Sequence, residues 1–301
     1  MNNPLPPARP PSAPAEITAA ALLERYAAGE RDFRGIQLIG ADLSQQNLSG
    51  ANFRQSNLRN TNFSGATLVG VNFREAKLAK TSFEEAKLVL ANLIGADLSD
   101  SRLTGADLSE AGMRSANLMR AELSQATLRE ANLNEAVLDH ATLQKAILSE
   151  ASLSRSRLLA ADLRGANLEH VNLTNALMNR AILRNATLVE AVLTGANLEE
   201  ADLEAADLSR AKLLSTNLVN VNMSQANLRG ANLCWSTLRG ANLRGATLYR
   251  TRLNWSNMSG ADLTGAVMIN ARLDYTNLRR TDVHGTIMPD GFTMSSQDQS
   301  D

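Results

Sequence analysis

Few residues in this sequence have the chemistry of a catalytic or metal site. There are three histidines, His140, His170 and His284, and one cysteine, Cys234. A single cysteine excludes an internal disulfide framework and a cysteine-rich zinc site. Glu110, Glu130, Glu150 and Glu190 recur at multiples of twenty residues, with His170 completing the row. Carboxylates in line could hold a cation, but calcium wants about six to eight converging oxygens, and Arg129 is close enough in sequence to neutralise them instead. Other rows have the composition of a binding surface. Trp235, Trp255 and Tyr275, again twenty apart, include both tryptophans of the chain. Such side chains bury much area with few rotors. Arg252 and Arg272 accompany them and could contact a carboxylate or lie over the rings. Arg34, Arg54 and Arg74 form another row, either solvated or in contact with an anion.

Whether any of these residues meet depends on the elements that carry them, and a repeat dictates those elements. Every fifth position from Phe33 to Met288 is apolar: of 52 positions, 40 are Leu, 6 Met, 5 Phe and one Val. Two residues earlier the chain is small, with 34 Ala, 7 Thr, 5 Ser and 3 Val; Arg31, Ile36 and Gln46 are the exceptions. Between the two series, 27 of 52 residues are Asn or Asp. The unit reads Ala-Asn/Asp-Leu-x-x.

A helix is rejected, because five residues advance about 140° net and the leucines would spiral around the axis. A long strand is rejected because five is odd and alternate leucines would face opposite ways. A short extended Ala-x-Leu piece followed by a two-residue turn satisfies the pattern. A right-angled turn at each step gives a square coil of about twenty residues and a rod of about 13 coils. At roughly 4.8 Å per coil its length is on the order of 60 Å. Hydrophobic residues make up 44% of the chain but aromatics only 4%, so the core is one of leucine and alanine.

This pattern resembles the pentapeptide-repeat family, over residues 31–290 without interruption. The opening from Leu22 to Phe33 and the closing from Gly285 to Gly291 are similar to members abundant in cyanobacteria. The resemblance implies an all-β fold, a right-handed quadrilateral parallel β-helix. It also implies little about activity, since most such proteins have no assigned biochemical function. Some relatives bind a type II topoisomerase, DNA gyrase, through a rod that mimics duplex DNA.

Six of the seven prolines lie in residues 1–14, so a disordered, proline-rich leader is expected over 1–15. Proline lacks the N–H that a stacked ladder uses, and its absence from 15–288 fits continuous pairing. A short capping helix is expected within 16–30, from about Thr18 to Ala28, ended by Gly29. Its Leu22, Leu23 and Tyr26 would cover the open end of the first coil. Arg31 and Gln46 at inward positions predict an irregular first coil. Residues 291–301 form the tail, with Phe292 and Met294 folding over the other end. Phe33, Phe53 and Phe73 fall on one side and Phe63 and Phe83 on the opposite one, as core filling. The Asn row Asn52, Asn72, Asn92, Asn132, Asn172 and Asn232 bonds along the stack or back to a turn.

The unbroken period lets the four outer sides be read. Sides one and two, starting at Arg31 and Ile36, carry 18 basic and 9 acidic residues; sides three and four, starting at Ala41 and Gln46, carry 10 and 17. A formal net charge of −1 thus hides a lengthwise asymmetry, and argues against direct nucleic-acid binding. The three histidines fall on different sides, Cys234 reads as an inert exposed thiol, and no phosphate-cradling glycine loop occurs. No catalytic residue, cofactor or metal is expected, nor is membrane insertion, since no long apolar run or signal segment is present. The sequence reads as a cytoplasmic, non-catalytic scaffold or adaptor for a protein partner. Trp235, Trp255, Tyr275, Arg252, Arg272, Arg34, Arg54 and Arg74 are its candidate contacts. The alternatives are the gyrase-binding DNA mimic and a homodimeric rod joined through a coil end.

Overall fold

The computed structural model describes residues 17–294. The leader expected over 1–15 and the polar tail from Ser295 lie outside the described residues. Every fifth residue from Asp32 to Val267 pairs in parallel with the residue twenty positions on, from Asp32 with Asn52 to Val267 with Ile287. One circuit of the chain therefore takes twenty residues and four sides. Each side supplies a single bridged residue, so the ladder is built of corners as much as of strands.

The pentad composition follows from backbone donors, all of which must be paired when buried. In Ala51–Gln55 the N–H of Ala51 closes the preceding turn on the Leu48 carbonyl at 3.1 Å. Asn52 donates to Arg31 in the coil before, at 2.7 Å, while Phe53 and Gln55 donate to Asn72 and Arg74 in the coil after, at 2.7 and 2.9 Å. The one N–H left over, that of Arg54, is taken by the Asn52 side chain at 3.2 Å. That last bond is why Asn and Asp dominate the position before the core residue. The other members of the Asn row do the same, Asn72 accepting from Arg74, Asn92 from Ile94 and Asn232 from Cys234. Stack bonds between coils occur in this row, from Asn52 to Asp32 at 3.4 Å, and on other sides, as from Asn117 to Asp97 at 2.9 Å.

The fifth position of each pentad takes a positive φ from Gly35 to Gly285, usually near 60°. This is the φ pattern of a type II turn. Glycine adopts it without strain, but polar and aromatic residues fill most corners, and no Val, Ile or Thr stands at one. β-branched side chains are the least compatible with this backbone.

Inside, the leucines are buried along the rod. Each contributes about 1.5–3 kcal/mol by removal from water, against a backbone ordering cost of about 1–2 kcal/mol per residue. The phenylalanines stack at the coil spacing, Phe33 on Phe53 at 5.6 Å, Phe53 on Phe73 at 5.4 Å and Phe63 on Phe83 at 5.2 Å. Inward threonines keep their hydroxyls satisfied on a carbonyl of the coil before, as Thr61 does on Leu38 at 2.7 Å and Thr286 on Leu263 at 2.7 Å.

Helix α1 spans Ala19–Ala27, with the Thr18 hydroxyl accepting from the N–H of Ala21. Leu22 is fully buried, Leu23 and Tyr26 pack against the same core, and the Tyr26 hydroxyl donates to the Ser49 carbonyl at 2.9 Å. The first coil departs from expectation: its backbone is regular, with Phe33 donating to Asn52 and Leu48 to Thr67. Only side chains adapt. The Arg31 guanidinium turns outward over the Tyr26 ring at 3.7 Å, and Gln46 bonds to the Ser44 carbonyl. At the other end, residues 288–294 fold back, with Thr293 pairing antiparallel to Ile287. Phe292 does not cover that end; it is 74% exposed, while Leu273, Leu278 and Val283 of the last coil are only partly buried. The return is too short to reach across the coil, because it is held along one side by bonds from Gly285 to Met294 and from Met294 to Thr286.

Candidate functional site

The square coil decides which chemistry-bearing residues can meet. His140 and His170 occupy different corners, while His284 sits just before one on a third side. In the carboxylate row, His170 Nδ1 lies 3.5 Å from Glu190, and Arg210 pairs with the same carboxylate at 3.2 Å. Arg129, the expected neutralising residue, forms no ion pair among the described residues. No group of three or more His, Cys, Asp or Glu side chains among the described residues could hold a metal ion. Cys234 is not exposed: the residue keeps 7% of its surface, with its thiol 3.9 Å from Asn254 Oδ1. The small side chain sits in the lee of the Asn254 turn one coil on, where a longer one would project.

Trp235, Trp255 and Tyr275 occupy corner positions with φ of 62°, 62° and 60°. That backbone throws the rings off the rod. They are 60%, 49% and 74% exposed and stack on one another: Trp235 on Trp255 at 5.1 Å and 2°, Trp255 on Tyr275 at 4.1 Å and 16°. The ring faces therefore largely cover each other, and the edges of the ladder face solvent.

Arg252 and Arg272 are bridge partners on the side that ends at this ladder. Neither lies over its rings; both line an open groove of about 570 Å³ on the far side, with Arg250 and Asn270. Cation–π contacts form at Tyr249 instead, which Arg229 and Arg250 flank at 5.0 and 5.1 Å. A bridged residue projects from the middle of its side, and a long arginine there can lean to either corner. The sequence alone does not choose.

The Arg34, Arg54, Arg74 row is not a bare cationic stripe. Arg34 pairs with Asp32 at 2.6 Å, and Glu75 sits 3.4 Å from Arg54 and 3.1 Å from Arg74. The hydrogen bond from Arg34 holds the Asp32 carboxyl below its ordinary range against a desolvation penalty. Asp162, more enclosed, is also shifted down. Burial opposes its ionisation, but hydrogen bonds from the Arg164 side chain and backbone and from Gln144 outweigh it.

Asp139 is a residue sequence reasoning missed. It stands just after a core leucine, normally an outward place, yet its side chain is 3% exposed. Its Oδ1 accepts from the Leu159 N–H at 3.1 Å and its Oδ2 pairs with Arg157 at 2.5 Å. Arg157 fills the position where Asn or Asp would cap the Leu159 N–H, so Asp139 reaches up from the coil before to supply the acceptor. Asn134 does this for Ser154 at 2.9 Å. The missing Asx residue at 157 is the signal that could have revealed it.

Among the described residues no helix is long and apolar enough to cross a membrane. Comparison with known proteins adds the family. No curated relative matches the chain. Among solved structures it is similar to HetL, a pentapeptide repeat protein involved in heterocyst differentiation regulation from the cyanobacterium Nostoc. Identity is 30% over 92% of this chain and 100% of that one, at a TM-score of 0.27. It is similar to Rfr23 from the cyanobacterium Cyanothece, 33% identical over 34% of this chain and 63% of that one, TM-score 0.18. It is also similar to QnrB1, a plasmid-mediated fluoroquinolone resistance protein, at 17% identity over 83% and 90%, TM-score 0.18. That last identity speaks to fold alone, and superpositions at these scores add nothing to the assignment. The profile described as Pentapeptide repeats matches in eight copies, at 36–74, 68–110, 86–125, 116–155, 161–199, 186–225, 226–265 and 251–288. With that match over the same stretch as the twenty-residue ladder, the chain belongs to the pentapeptide-repeat family, whose members fold as right-handed quadrilateral β-helices.

Proposed function

We propose that this protein is a non-catalytic scaffold or adaptor of the cytoplasm, a rod of about 13 coils over 31–290 that presents flat, charge-segregated sides to a protein partner. In this reading residues 16–30 cap the first coil, 1–15 and 291–301 are appendages, and no cofactor is used. The observation that carries it is the exposed ladder of Trp235, Trp255 and Tyr275 at one corner of the rod. Three large rings held outward against the hydrophobic effect are what a protein interface covers. Arg252 and Arg272 on the same side supply charge, while Arg34, Arg54 and Arg74, already paired with carboxylates, contribute at the rim. Affinity capture from the native lysate tests this. Wild type recovers a partner that the Trp235→Ser/Trp255→Ser protein does not; equal recovery by a folded variant removes the ladder from the interface. A homodimer through the C-terminal coil end is the second reading, favoured by the exposed Phe292 and the part-exposed Leu273, Leu278 and Val283. An uncovered coil end is an association hazard. Sedimentation over a range of concentrations tests it, and a strict monomer throughout excludes it.

A further inference from the structure

Charge varies along the rod as well as around it. Between Asp207 and Asp262 the sequence has seven cations and no carboxylate. Side four, acidic when summed over its length, is basic here. Its Arg210, Arg229 and Arg250 line an open groove of about 490 Å³ with Ser209, Asn227 and Gly230. Arg250 is shared with the groove of Arg252, Arg272 and Asn270, so the two form one channel across the corner between sides four and one. No carboxylate lines either. By contrast, the groove around Arg114 and Arg155 contains a carboxylate, with Arg114 meeting Glu135 at 3.4 Å. Of the channel residues Arg210 alone has an ion pair among the described residues, with Glu190. Tyr249 holds Arg229 and Arg250 in place through its ring, which orients two guanidiniums without neutralising them.

We infer that the channel lined by Arg229, Arg250, Arg252 and Arg272 receives a short glutamate- or aspartate-rich segment of the partner protein. The proposal rests on the scaffold reading above and names the partner's chemistry. Guanidinium forks match carboxylates with two parallel hydrogen bonds, and four unneutralised guanidiniums in one channel repel each other until an anion arrives. From Arg210 to Arg272 the channel spans about three coils, roughly 15 Å, the length of about five extended residues. A long nucleic acid fits less well. Trp255 is stacked on both faces and Trp235 on one, which leaves no run of open ring faces for successive bases. Along the row that leads down from Arg210 stand Glu190, Glu150 and Glu130, which repel a polyanion running on past the channel.

The channel and both tryptophans share side one and its corners, so intrinsic fluorescence reports occupancy. The full chain is titrated with N-acetylated octaglutamate amide, octalysine amide and inorganic phosphate at about 50 and about 300 mM NaCl. Octaglutamate is expected to bind saturably, about tenfold more weakly at the higher salt, with octalysine and phosphate inert. Arg250→Gln/Arg252→Gln/Arg272→Gln is expected to weaken it about tenfold or more, with an unchanged thermal midpoint. Arg59→Gln/Arg129→Gln/Arg155→Gln, which removes the same charge elsewhere, should not weaken it. The proposal is overturned by absent octaglutamate binding, by equal losses in the two triple variants, or by phosphate saturating the channel as well as the peptide. Self-association of wild type that the first triple variant abolishes also overturns it, by assigning the channel to a second copy. Partner capture that persists while octaglutamate fails to bind removes the channel and leaves the scaffold; saturable octaglutamate binding with no partner captured supports the channel and removes the scaffold.

Discussion

Replacing Leu143 by aspartate tests the physical basis of the rod. Leu143 is fully buried, lies under the leucines twenty residues before and after it, and donates its N–H to the Asp162 carbonyl. Losing the side chain costs about 2–5 kcal/mol once the remaining cavity is included. The new carboxyl finds no donor, since the N–H groups around it are already spent on the ladder. A buried polar group left unpaired adds about 1–3 kcal/mol even when it is protonated. The sum, about 3–8 kcal/mol, rivals the stability of a whole domain. In a solenoid it is felt by the nearest coils and not by the rod as a unit. Hydrogen exchange should therefore show protection lost across roughly 121–165, one coil to either side, with the flanking coils still protected. Lys145→Asp, which adds an aspartate two residues on at an exposed corner with φ of 56°, should change stability by less than about 0.5 kcal/mol. If Leu143→Asp leaves local protection and the unfolding midpoint where they were, or if Lys145→Asp does equal harm, the inward assignment of every fifth residue is wrong.

Two further outcomes follow from hydrogen bonds that the coils exchange. Asp139→Ala should destabilise by about 1–3 kcal/mol in chemical denaturation, because it strands the Leu159 N–H, whereas Asp139→Asn, which keeps an acceptor, should cost clearly less; equal costs would mean that the half-exposed Arg157 pair matters and the N–H does not. Asp162, whose folded carboxyl titrates below its unfolded value, contributes stability that is complete above about pH 5 and is lost as the pH falls through the folded value, below about pH 4. The gap in thermal midpoint between wild type and Asp162→Asn should accordingly narrow from pH 7 towards pH 3, and a constant gap would show that ionisation of this group is not linked to folding.

Several site features were legible because they depend only on where Cβ points. The twenty-residue offset places Trp235, Trp255 and Tyr275 at one corner, and their rings stack as three copies of one geometry must. Phe33, Phe53 and Phe73 stack for the same reason. What failed involved length and rotors. Arg252 and Arg272 lean away from the aromatic ladder, and Arg34, Arg54 and Arg74 find carboxylates one to twenty-one residues away in sequence. Arg31, assigned inward by phase, escapes over Tyr26. Cys234, assigned outward, and Asp139, at a position that normally faces outward, are buried because neighbouring coils close over short side chains.

By itself the sequence determined the square section, the leucine core, the side of the rod on which each residue stands and the Asn and Asp residues beside each corner. A period of five allows one coil, and every backbone N–H in that coil demands a partner. Only the tertiary structure decided that the arginines of sides four and one share a channel without a carboxylate, and that Asp139 stands in for an acceptor missing one coil later. Both depend on side chains that reach groups about twenty to sixty residues away, across the roughly 4.8 Å rise of the coils. There the choice among rotamers of long or polar side chains depends on every neighbour at once, and no periodicity records it.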